Sequence, residues 1–442
     1  MTTHNHLSAL RWAALPQAEQ GKAALLERAV VWLLAGFLFF QFIGLPVLAL
    51  GPSWALWPTL PDLFFWAALA CAALYRQRLP APHLPVWRGL LILGGLSVLS
   101  FALLWVMRDG HMGSAVPFGI FQLFKLFQII ATYWMVARLR PVHSALRLWE
   151  RAVLLSFIVM IVTVVWTFLS PTLPTWLGTF MPRGAGISGP WESVYKYDQA
   201  GMGMIGYNHA HVSAIVMLQG GLLILLRRGQ NSSLILIAML VACFLSGARA
   251  GLAGCLLFIA LQGRSIPLRL TVTLLVSGIL VFLAMPNLLE RLGDLIQRQS
   301  TILDAADAGN LAGRTDIWQI YLRDLLRDPP RLLIGSGFGS GIGNHGSNAH
   351  MLFLQVVYET GLAGMTAMLL FFARLQGQLW RQRDWAGGVT LNLLAGFWLS
   401  CLTTETFYPT SAFGSFLPLL ALTVALALGR PWHSLHSPPT RP

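Results

Sequence analysis

Apolar runs recur along this 442-residue chain, each near the length that crosses a bilayer, and they leave it few folds to choose from. A backbone immersed in hydrocarbon must satisfy its own N–H and C=O groups, so such runs fold as helices. Twelve are read, at about 29–50, 55–75, 87–107, 115–138, 149–170, 208–227, 231–247, 250–263, 267–287, 349–373, 386–406 and 411–429. Charged residues make up only 11% of the chain, against roughly 25% in soluble domains, so lipid is expected to solvate most of it. The expected fold class is an all-α polytopic integral membrane protein of about 12 transmembrane helices, with a long helical loop between helices 9 and 10.

Lysine and arginine set the orientation. With the N-terminus cytoplasmic, nineteen of the thirty basic residues fall in the inner segments, which are short. The net charge of +13 is thereby read as a topology signal, not as a nucleic-acid surface. Residues 1–28 are polar, contain Pro16 and read as a cytoplasmic segment; 29–430 read as one transmembrane domain and 431–442 as a cytoplasmic tail. Two outer loops are long, 171–207 and 288–348. The second holds two amphipathic stretches, Leu288 to Gln299 and Thr315 to Asp328, expected to lie over the outer face with Thr315 capping the latter. Loops of this length in a membrane protein are usually functional. The four cysteines lie inside apolar runs and read as small buried residues.

The most informative stretch is Gly335 to Gly364, GSGFGSGIGNHGSNAHMLFLQVVYETGLAG. Its glycine-rich half can bring backbone close to a ligand, and its second half starts an apolar helix that Ser347 or Asn348 could cap. His350 is expected in the first helical turn, where the dipole disfavours imidazolium and leaves a neutral ring able to take a proton. The competing reading is a polar residue at the water boundary of a membrane helix. Arg249, in SGARAGLAG between the two shortest spans, is expected to stop short of the outer surface and face a partner or a watery cavity. Its planar fork suits phosphate or pyrophosphate, although snorkelling to headgroups is the plainer alternative. Arg183 and Arg314 follow glycine-rich or proline-containing outer sequence and could approach the same anion. Asn208 and His209 open the sixth span and could line a pocket. Its His211 stands two residues from His209, off the same helix face, and a zinc site would need a third ligand, so the signal for a metal is weak and none is assigned.

Lys125 and Glu359 are the charges deepest in apolar runs, each roughly 15 Å down by helical rise. Their expected role is a mutual structural ion pair between the fourth and tenth spans. Glu405, at the outer end of the eleventh span, is better placed to meet His350 or an arginine. One base with several arginines and no Asp-rich motif fits transfer chemistry on a lipid-carried phosphate substrate, with no cofactor or metal.

These residues resemble a known family, the bacterial O-antigen ligase and O-antigen polymerase superfamily. The matching words are SGARAGLAG, GRTDIW followed by LLIGSGFGSG, and HMLFLQVVYETGLAG, with IGYNHAHVSA less closely similar. Met351 departs from the family's usual Asn, Ser or Gln after the histidine. The resemblance implies a glycosyltransferase of the bacterial inner membrane, with both termini cytoplasmic and its active site facing the periplasm. Its donor would be an undecaprenyl-pyrophosphate-linked glycan and its acceptor another lipid-linked repeat or lipid A core. By position, His350 matches the catalytic histidine, Arg249 and Arg183 match arginines at the donor pyrophosphate, and Arg314 matches the Gly-Arg-Thr element. Met351 tilts the reading slightly towards polymerase. The competing classes are a transporter or lipid flippase working through Lys125 and Glu359, and a membrane scaffold without catalysis. Membrane lipids are the expected surroundings in every case.

Overall fold

A computed structural model of the protein describes residues 17–43, 58–75, 84–107, 112–139, 143–169, 201, 203–205, 209–263, 286–300, 314–382, 384–404, 408 and 417–429. Among these residues the chain is helical and without strands. Six helices are long and apolar enough to cross a membrane. They are α1 (Gln17–Phe39), α3 (Leu84–Met107), α4 (Met112–Leu139), α5 (His143–Leu169), α6 (His209–Leu226) and α13 (Leu352–Gln382). Five further expected spans form shorter helices: α2 (Leu60–Tyr75), α7 (Ser232–Leu245), α8 (Arg249–Gln262), α14 (Trp385–Ser400) and α15 (Leu417–Leu428). The expected ninth, 267–287, lies almost wholly outside the described residues, so a count of twelve crossings goes beyond what the fold displays.

Between α8 and α13 run α9 (Pro286–Ser300), α10 (Arg314–Arg327), α11 (Pro329–Ile334) and α12 (Ser340–His345). The two amphipathic stretches are therefore helical. Thr315 does not cap the second, because α10 starts one residue earlier, at Arg314; Asp316 does fall in its first turn.

The bundle is centred on α6, with 89% of its apolar stretch buried against 22% for that of α3. Around α6 pack α5, α7, α8, α14 and α15. Small residues permit the closest approaches, as is usual where no hydrophobic effect drives helices together in lipid. A Cβ on Gly254 of α8 would lie 2.4 Å from the Gly396 carbonyl oxygen of α14. At one end, Arg227 Nε, just past α6, meets Glu150 Oε1 of α5 at 2.8 Å. Asp384 caps α14 by accepting from Gly387 N at 2.6 Å.

The expected pair between Lys125 and Glu359 does not form. Lys125 Nζ instead meets Asp62 Oδ1 at 2.9 Å, with both side chains buried. Asp62 stands in the first turn of α2 and accepts from Thr59 N (2.7 Å), Thr59 Oγ1 (2.9 Å) and Gln128 Nε2 (2.6 Å). It closes the helix start and neutralises the lysine together. The cause is where α2 begins: at Leu60 rather than about 55, its opening turn is set down to the level of Lys125 on α4.

Candidate functional site

The site grows from a break in a helix. Gly361 interrupts α13 with φ 67° and ψ −176°, a backbone region that is essentially glycine's alone. An unbroken helix would use the carbonyls of Tyr358 and Glu359 to accept from the N–H groups four residues on. Here they turn outward. Ser336 N donates to Tyr358 O (2.7 Å), Gly337 N to Glu359 O (3.1 Å), and Ser100 Oγ of α3 also to Glu359 O (2.5 Å). The glycine loop is thus docked on the kink by main-chain bonds. The approach is too close for side chains: a Cβ on Gly335 would fall 2.3 Å from Glu359 O, and one on Gly361 2.3 Å from Leu333 O.

The histidine stands differently from the expectation. Helix α13 begins at Leu352, so His350 lies in the bend before it and not in its first turn. Its φ of 51° is left-handed, a conformation uncommon outside glycine and worth attention where it occurs. Neither Ser347 nor Asn348 supplies a side-chain cap. The bonds come from elsewhere: Gln355 Oε1, in α13 itself, accepts from Ala349 N (2.7 Å), and the distant Cys401 O accepts from Leu352 N (3.2 Å). From α10, Trp318 Nε1 donates to Ala349 O (2.8 Å) and Tyr321 OH to Ser347 O (2.7 Å). Bonds on both sides of His350 therefore hold its half-buried turn.

Antiparallel packing decides which candidates share an end of the bundle. Asn392 Nδ2 of α14 donates to Leu261 O near the end of α8 at 3.0 Å, and Gly396 meets Gly254. The start of α8, Arg249, is therefore level with the end of α14. There Cys401 binds the start of α13, so Arg249 and the His350 turn lie at one end of the bundle. His209, at the start of α6, joins them. Its Nδ1 donates to Ser246 O, which identifies this histidine as a tie holding the SGAR turn to α6. Across the same end lies α9, with Arg291 Nη1 donating to Phe168 O (3.0 Å) and Leu169 O (3.1 Å), the orphan carbonyls that close α5. Arg314 opens α10, which packs on the first half of α13. Arg249 and Arg314, both half-buried, are each the first residue of a helix. A cation there opposes the helix dipole, so stability alone would not place it. A helix start that also carries a guanidinium suits an anion, which both the arginine and the first-turn N–H groups can meet. Arg183, Asn208 and Glu405 lie outside the described residues.

Sequence reading missed two clusters. Glu359, wholly buried, accepts from Gln355 Nε2 (2.8 Å), Gly341 N (3.2 Å) and Tyr408 OH (2.5 Å). Burial, with the Glu359 carboxylate adding to it, pushes the Tyr408 phenol up, which keeps it a donor. Lys125 and Glu359 thus belong to separate networks, which removes the coupled pair a transporter reading would use. The second cluster is His345, whose Nε2 lies 3.0 Å from Tyr358 OH and 3.2 Å from Asp324 Oδ2, beside the Tyr321 ring. The one available signal was the i, i+3 spacing of Tyr321 and Asp324 on α10. Among the described residues, no three His, Cys, Asp or Glu side chains gather as metal ligands.

Behind the site runs an apolar cavity of about 140 Å³ between α3, α4, α13 and α15. Phe338 and Tyr408 line its site end, and Val86 and Leu375 its far end.

In comparison with known proteins, the family model described as O-antigen ligase matches residues 234–369, which include Arg249, Arg314 and His350. No curated protein matches the chain. The family match supports a membrane glycosyltransferase of the O-antigen ligase or polymerase type.

Proposed function

We propose, from that superfamily as premise, that this protein transfers a glycan from an undecaprenyl-pyrophosphate carrier to a sugar hydroxyl. His350 removes the proton of the attacking hydroxyl as it reaches the anomeric carbon. Arg249 and Arg314, with Arg183, hold the departing pyrophosphate and take the developing charge without a metal. Attack opposite the leaving group inverts the anomeric carbon. The observation that carries this reading is the left-handed His350 turn, fixed at the bundle end where Arg249 opens α8. The apolar cavity beside Tyr408 suits a lipid chain whose headgroup sits at that end. The reaction belongs at the periplasmic face of a bacterial inner membrane, with both termini cytoplasmic.

Polymerisation of lipid-linked repeats is favoured slightly over ligation to lipid A core, because Met351 follows the histidine. A deletion strain separates them: single repeats on the core indicate a polymerase, full-length chains stranded on the carrier a ligase. The direct test uses purified protein with an undecaprenyl-pyrophosphate oligosaccharide and excess chelator. Transfer is expected to persist with chelator and to fall about 1,000-fold in His350→Ala. Loss of transfer on chelation alone would overturn the arginine mechanism.

A further inference from the structure

The groups around Glu359 form a chain that ends at the His350 turn, and its donors and acceptors run in one direction. Gly341 N, Gln355 Nε2 and Tyr408 OH all point hydrogens at the carboxylate. The backbone N–H of Gly341 can only donate, so it makes Oε1 of Glu359 an acceptor, and that oxygen obliges Gln355 to present its NH2 group. The other end of the same amide, Oε1, is then turned to Ala349 N, the residue before His350. A flipped amide would set N–H against N–H at Ala349 and oxygen against oxygen at Glu359. The carboxylate thus determines how Gln355 is oriented, and Gln355 holds the backbone beside His350. Gln355, Glu359 and Ala349 are each fully buried, so water is not at hand to replace these bonds.

We propose that Glu359, acting through Gln355, is a positioning residue for His350. This deepens the transfer reading and rests on His350 as its base. The left-handed turn has its own conformational cost, and the bond to Ala349 N is one of those that hold it. Without it the turn relaxes and the imidazole moves relative to a hydroxyl bound nearby. A displacement of about 1 Å in a reacting group can cost on the order of 100-fold in rate. Substrate binding at the arginines does not pass through this chain.

The test uses the purified full-length protein with an undecaprenyl-pyrophosphate oligosaccharide as donor, and the same compound or lipid A core as acceptor in separate arms. Gln355→Met and Glu359→Leu are each expected to lower kcat about 100-fold with the donor KM unchanged. Glu359→Gln is expected to recover most of that loss. Its oxygen can accept from Gly341 and Gln355 while its NH2 donates to Tyr408, whose hydroxyl then accepts. In a His350→Ala background neither substitution should reduce the residual rate further. Should Glu359→Leu fail to fold, Gln355→Met carries the test. A Gln355→Met protein with wild-type kcat, beside an inactive His350→Ala, overturns the positioning role and leaves the base intact. A loss confined to KM or to unfolding temperature overturns it as well. A His350→Ala protein with undiminished kcat overturns the base and the positioning role together.

Discussion

Among the described residues two carboxylates are buried completely, Asp62 at the start of α2 and Glu359 above the kink of α13. Each accepts hydrogen bonds from several donors, yet their surroundings differ in kind. Asp62 faces Lys125 and caps its own helix, so its charge is cancelled by another charge and its geometry by local backbone. Glu359 has neutral partners, drawn from α12, α13 and the residue Tyr408 that follows α14. The first arrangement joins two helices. The second joins the glycine loop, the His350 turn and Tyr408 through one carboxylate. A buried charge opposite a counter-charge reports on folding, whereas one ringed by dipoles beside a broken helix reports on the placing of a reactive group.

That contrast can be tested from either side. The largest effect on stability is expected from Lys125→Met, which leaves Asp62 charged and unmatched at a cost of about 3–5 kcal/mol. It should lower the thermal unfolding temperature in detergent while folded molecules keep their kcat. A catalytic defect out of proportion to unfolding would break the distinction. Gly361→Ala should follow, at about 2–3 kcal/mol, because the new Cβ meets a carbonyl and the kink has a positive φ. Here activity should fall further than stability, since the glycine loop undocks, and proteolysis within 335–346 would report the undocking. The smallest effect is expected from Tyr408→Phe, about 1–2 kcal/mol for one lost bond to a carboxylate that keeps two others. Its kcat should drop less than that of Gln355→Met. Equal losses would mean that Tyr408 contributes more to the unit than one donor among three.

Much of this was legible in the residues. Length and apolarity of the runs announce helices, because hydrocarbon offers no partner for an open backbone. The period of Leu288 to Gln299 shows an amphipathic helix, and α9 lies across the bundle end with Leu295 buried against Phe168. Alternation of the spans, counted from the basic inner loops, sends Arg249, Arg314, His209 and His350 to one side. The packing of α8 against α14 and of α14 against α13, with the tie from His209 to Ser246, brings Arg249, His209 and His350 to a common end.

Other features could not be read. Helix starts set the errors at Lys125 and His350, and a start depends on whatever caps it. For α13 the caps are Gln355 and Cys401, the latter about fifty residues away in the chain and unmarked by any local pattern. Depth counting assumed that all spans open at one level; α2 opens lower, and so Lys125 found Asp62 instead of Glu359. The amino-acid sequence by itself determined the described helices, their order and the shared side of Arg249, Arg314, His209 and His350, because those follow from solvation along one chain. Which buried groups touch, and the turn that aims His350, were decided only when α10, α12 and α14 closed on α13. Donors and acceptors far apart in sequence must pair once water is gone, and only the packed arrangement says which are near.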